Sequence, residues 1–104
     1  MADMSGEVSV DELRKAVERM YRCSAEWLEP QIVQDKFRGK IVWSGIVQVF
    51  KLSGHPSATR CYAWSSPVKG SEKRRFFAVL QTPPVETALD AVRAAIVQEE
   101  RTKR

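Results

Sequence analysis

Gly45–Ser65 reads GIVQVFKLSGHPSATRCYAWS. Runs rich in Val, Ile, Phe, Tyr and Trp lie on either side of Ser53-Gly54-His55-Pro56. The first kind of residue favours strands, and Gly and Pro favour turns. The stretch is expected to form two antiparallel strands joined by a tight turn, with the chain's only histidine in that turn.

Working outward, the first strand extends back to Lys40, as KIVWSGIVQVFKL over 40–52. Gly45 in its middle is expected to mark a bulge or a bend. The second strand runs from Thr59 to Ser65. After a polar loop over 66–73, Arg74 to Gln81 (RRFFAVLQ) reads as a third strand. Thr82-Pro83-Pro84 ends it, because proline has no N–H for the ladder. Upstream, Gln31 to Lys36 reads as one extra short strand. It turns back through Phe37-Arg38-Gly39, where Gly39 is free to take φ > 0.

A helix is expected at each end. Ser9 and Glu12 have capping-box spacing, and Val8 and Leu13 have the spacing of a hydrophobic staple. Leu13, Ala16, Val17, Met20 and Tyr21 fall on one stripe, which predicts a helix from Val10 to about Cys23. Pro30 bars its continuation beyond Glu29. The second helix starts at Thr87, which caps it with Asp90 three residues on. Ala88, Ala91, Val92, Ala95 and Ile96 form its inner stripe, small enough to lie close on a sheet. Residues 1–8 read as a frayed tail and 101–104 as a basic tail. The fold class is therefore α+β, one domain over 1–104, in the order α-β-β-β-α with room for the extra strand. Two helices are expected to pack on one face of an antiparallel sheet.

Charge is unevenly spread. Residues 1–35 carry a net −4 and residues 36–81 a net +8, with Glu72 their only acid. Such a region favours polyanionic partners, or it is a solvated sheet edge whose cations block edge-to-edge pairing. Alternation leaves a second choice open. Cys61, Ala63 and Ser65 point one way along their strand, and Arg60, Tyr62 and Trp64 the other. If the helices cover the small residues, Tyr62 and Trp64 form an exposed platform for unpaired bases beside Arg60. If the helices cover the aromatics, these are core.

Several chemistries find little support. Two cysteines and one histidine without C-x-x-C spacing make a poor zinc set. Cys61 and His55 could form a nucleophile–base pair only with an orienting third group, and no residue marks itself as that group. Cys23 and Cys61 are expected to be reduced, buried thiols. There is no glycine-rich phosphate loop, and no cofactor is expected. No run approaches the ~20 apolar residues of a membrane span. The first residues lack the apolar core of a secretory signal, so a cytoplasmic location is expected.

The element order resembles the double-stranded RNA-binding domain over roughly residues 10–100. The matching details are Gly54-His55-Pro56 in a hairpin loop and an alanine-rich last helix over 88–96. In that family a Gly-Pro-x-His loop enters a minor groove, and lysines at the start of the last helix hold phosphates. Here Pro84-Val85-Glu86-Thr87 has no lysine and carries an acid, and residues 24–39 have no counterpart. The resemblance thus implies the fold more than RNA binding. The pattern Val42-Trp43-Ser44-Gly45, Val49-Phe50, Gly54-His55-Pro56, Tyr62-Ala63-Trp64 also resembles a group of small uncharacterised bacterial proteins. That group implies no activity.

The leading expectation is a small non-enzymatic binding or adaptor protein of unknown partner, with RNA and another protein as the candidates. The alternative is nucleic-acid binding through Lys40, Lys51, His55, Arg60, Lys73, Arg74 and Arg75. A Cys61/His55 enzyme is the third class. An adaptor predicts an exposed apolar patch, and nucleic-acid binding predicts affinity that falls steeply with salt.

Overall fold

Ser9 opens the first helix as its spacing to Glu12 requires. The Ser9 hydroxyl accepts from the Glu12 N–H at 3.1 Å, and a Glu12 carboxylate oxygen accepts from the Ser9 N–H at 3.2 Å. In the structure, a computed structural model, residues 9–68 and 70–102 are described. The N-terminal tail, Val8 of the staple, Lys103 and Arg104 lie outside the described residues. The order is α1 (Val10–Tyr21), β1 (Ser24–Phe37), β2 (Lys40–Ser53), β3 (Arg60–Pro67), β4 (Arg74–Leu80) and α2 (Ala88–Thr102). Replacing Ser9 by alanine removes the reciprocal cap. It should lower stability by about 1 kcal/mol, read as a lower urea midpoint at an unchanged slope.

α1 ends two residues earlier than its stripe suggests. Arg22 takes the left-handed conformation (φ 55°), and its N–H returns to the Glu18 carbonyl. The chain then enters β1 directly. Glu18 bridges the corner, taking the Ala25 N–H on one oxygen and the Arg14 guanidinium on the other. β1 is more than twice the length of the short strand expected, because Ser24–Trp27, Glu29 and Pro30 pair with β2 as well. Pro30 sits inside it without breaking the sheet. The strand order is β1-β2-β3-β4, all antiparallel neighbours, so β1 is an edge strand where a missing N–H is tolerated.

The β1–β2 turn is a two-residue loop, Arg38-Gly39, with φ of 54° and 81°. Two left-handed residues match the twist of a hairpin. Gly45 pairs in register with Val33, so no bulge lies there. The irregularities fall between Trp27 and Glu29 and between Asp35 and Lys36, leaving Leu28 and Val42 as extra residues. Gly45 instead accommodates the Trp43 indole, whose Cη2 would lie 2.8 Å from an added Cβ.

The α+β class and the helix–antiparallel sheet–helix order stand as expected, with four strands. The expectation of both helices on one face fails. Leu13 and Val17 of α1 pack with Phe50, Leu52, Cys61 and Ala63. Ala88, Ala91 and Val92 of α2 pack with Val33, Val47, Val49, Tyr62 and Trp64. Successive strand residues point to opposite faces, so the helices lie on opposite sides of the sheet. The reason is β3, where Cys61, Tyr62, Ala63 and Trp64 are all buried. A strand apolar at every position needs cover on both faces. Asp35 fastens α2 to β1, accepting from Arg93 Nε and Nη2 at 3.1 Å.

Candidate functional site

The seven basic residues singled out from the sequence do not converge. The β2–β3 turn is at one end of the sheet, and the β1–β2 and β3–β4 turns are at the other. Lys51, His55 and Arg60 therefore sit at one end, and Lys40, Lys73, Arg74 and Arg75 at the other. Along β2 alone, the rise per strand residue puts Lys40 about 35 Å from Lys51. Lys51 stands opposite Arg60 on one side and Glu26 on the other.

His55 is a structural cap. Its Nδ1 accepts the N–H groups of Ser57 and Ala58, each at 3.1 Å, and its ring meets the edge of Tyr21. With Nδ1 accepting, the neutral ring carries its proton on Nε2. Arg75 lies 2.6 Å from Glu99 and over the Phe77 ring. Arg74 gives Nε and Nη2 to the Ser65 hydroxyl and Nη2 also to the Ser65 carbonyl.

The choice left open for Tyr62 and Trp64 resolves to core. Both are buried under α2, while Cys61 and Ala63 lie under α1. Trp64 stacks on Phe77 and meets Trp43 edge-on. The Tyr62 hydroxyl donates to the Glu86 carbonyl and accepts from Gln81 Nε2. Cys61 is inaccessible, and burial pushes its thiol up to about 12. That is the reverse of an activated nucleophile. Both cysteines are free thiols. Among the described residues no group of three metal-ligating side chains comes together. No helix among them is long and apolar enough to cross a membrane.

A different surface stands out. β1 and β2 are each 14 residues long, about 45 Å of strand. α1 has 12 residues and is only about 18 Å long. It covers Phe50 and Leu52 of β2 but leaves the far half of the same face open. There Ile32 and Ile46 stand directly opposite each other, 87% and 55% exposed. Ile41, opposite Lys36, lies beyond the intervening polar pair Gln34–Ser44 and is 54% exposed.

Beside this row the sheet divides. β2 pairs with β3 only from Gln48↔Ala63 to Lys51↔Arg60, while β1–β2 and β3–β4 pairing continues beyond. The two ribbons part around a cleft of about 390 Å³, bounded by Ser44, Ile46 and Gln48 on one side and Ser65, Ser66 and Arg74 on the other. The sequence carries a signal for this surface. Ile41-Val42-Trp43 and Ile46-Val47 do not alternate with polar residues, so β2 is apolar on both sides beyond the reach of a short helix.

No protein-family model, curated protein or solved structure matched the chain in the comparisons made.

Proposed function

We propose that this chain is a small non-enzymatic binding module that holds another protein against the open half of its sheet. One observation carries the reading: the exposed row Ile32–Ile46–Ile41 on a face that α1 covers only in part. Branched aliphatic side chains on a sheet favour burial under a second element. An exposed pair of them, Ile32 beside Ile46, with Ile41 one polar pair further along, marks an interaction surface rather than an ordinary solvated one.

Nucleic-acid binding is the second reading, favoured by Lys36, Arg38, Lys40 and Lys73, all exposed at the same end of the sheet. Among the described residues its one exposed aromatic group at that end is Phe37, 63% exposed and already under the Arg38 guanidinium. Tyr62 and Trp64 are inside, and the exposed isoleucines have no flat face to offer a base.

A photo-crosslinking amino acid placed at Ile32 tests the reading in the native host. The expected result is a discrete adduct with another protein, absent when the crosslinker replaces exposed Arg19 on α1. The double substitution Ile32→Lys and Ile46→Lys in a chain crosslinked at Ile41 should abolish that adduct. Stability should change by less than about 1 kcal/mol, because the sites are exposed. Adducts with nucleic acid alone would replace this reading with the second.

A further inference from the structure

The open face has a charge as well as an apolar row. We infer that its occupant is an amphipathic helix of another protein with acidic residues beside its apolar stripe, and that one of its carboxylates enters the cleft at Arg74. This rests on the protein-binding reading above and adds the partner's chemistry.

Charge complementarity carries the inference. On the open face the described strand cations are Lys36, in line with Ile32, and Arg74 in the cleft; Arg38, Lys40 and Lys73 lie at the same end of the sheet, and Arg75 is on the α2 side. Arg75 is matched by Glu99, and the nearby Asp35 is already held by Arg93. Glu72 is the one other acid among described residues 31–46 and 65–75. An apolar partner without acids would leave this excess uncompensated, and a basic one would be repelled.

The cleft supplies a specific place for an acid. Arg74 commits Nε and Nη2 to Ser65, which fixes the guanidinium plane at the rim. Its Nη1 makes no hydrogen bond among the described residues. Ser44 and Ser66 line the same cleft and have hydroxyls to give. A preset guanidinium flanked by hydroxyls suits a carboxylate. Ile46 borders the cleft and belongs to the apolar row, so acid and apolar contacts adjoin. A helix fits because helices already cover the rest of the sheet. α1 reaches the cleft through Leu13 and leaves the isoleucines beyond it bare.

Two synthetic 18-residue helical peptides test this. They share one leucine stripe and differ in flanks of glutamate or of lysine; an RNA duplex of similar charge is the third probe. Binding to the full chain is followed by amide shifts in ¹⁵N-labelled protein. The glutamate peptide is expected to perturb Ile32, Ile46 and Arg74 and to bind at least about tenfold tighter than the lysine peptide. Arg74→Gln should remove most of that difference. Lys36→Gln should reduce it, which keeps the test intact if the first variant folds poorly. Equal binding of both peptides at the isoleucines would leave the open-face reading standing and overturn the acidic partner. No perturbation of the isoleucines by either peptide would overturn both. RNA binding at Arg74 with a steep salt slope, and no glutamate-peptide binding there, would make the site a nucleic-acid one.

Discussion

Trp64→Ala is expected to lower the stability of the domain by about 4 kcal/mol, within the usual range for deleting a buried aromatic. Trp64 is 3% exposed and sits where three elements meet. Its ring stacks on Phe77 of β4, takes the edge of Trp43 from β2, and packs beneath α2. Alanine would remove two ring contacts, each worth roughly 0.5–1.5 kcal/mol beyond area burial. It would also enlarge a cavity of about 430 Å³ that Trp43, Trp64 and Phe77 already border. β2 and β3 do not pair at this level, so the side chains are what join the two ribbons here. A domain typically has only about 5–15 kcal/mol to lose, and much of the chain should be unfolded at 37 °C. Trp64→Phe keeps a ring against Phe77 and should cost less than half as much. Chemical denaturation of the two variants checks this. Equal small losses would mean that Trp64 does not join the ribbons.

The contrast between Trp64 and Ile32 explains what the sequence could disclose. Local signals were legible. The Ser9/Glu12 cap, the positive φ at Gly39 and the Thr87 cap, with its hydroxyl taking the Asp90 N–H, each depend on residues a few positions apart. The β2–β3–β4 order was legible because Gly and Pro separate strongly apolar runs. β1 was half hidden. Its first six residues look like a helix tail, and Pro30 argues against a strand until the strand is known to be an edge. The helix sides were not legible, because alternation in β3 showed two apolar sets and could not rank them. The answer was that each set has its own helix.

The candidate site was less legible still. The basic residues were chosen by sequence neighbourhood, but antiparallel strands carry neighbours to opposite ends. Lys51, His55 and Arg60, within ten positions, share one end, and Arg74 belongs to the other. His55 was legible as a turn residue, and it caps that turn by a local geometry. The open isoleucine row depends on a comparison of lengths, a short helix against a long ribbon. That mismatch can be drawn only once both elements and their packing are known.

Cys61 should make the fold sensitive to alkali. Burial raises its thiol from an ordinary 9.0 to about 12, so the folded chain holds the proton far more tightly than the unfolded one. The contribution is complete below about pH 9. It falls as pH rises toward 12, because the unfolded state alone can release the proton. Three pH units at about 1.4 kcal/mol each set an upper loss of roughly 4 kcal/mol. Burial also raises Tyr21 and Tyr62, which adds to the loss above pH 10 in the same direction. Stability by urea unfolding should therefore be flat from pH 7 to 9 and drop steeply beyond. Cys61→Ala should cost about 1 kcal/mol at pH 7 through lost packing. Its deficit should shrink or reverse by pH 10.5, where the remaining slope belongs to the tyrosines. The same physics sets reactivity. A thousandfold smaller thiolate fraction and no accessible surface mean that Cys61 should resist iodoacetamide at pH 8 until the chain unfolds. Rapid labelling of Cys61 in the folded protein would contradict its placement beneath α1 and reopen the Cys61/His55 chemistry.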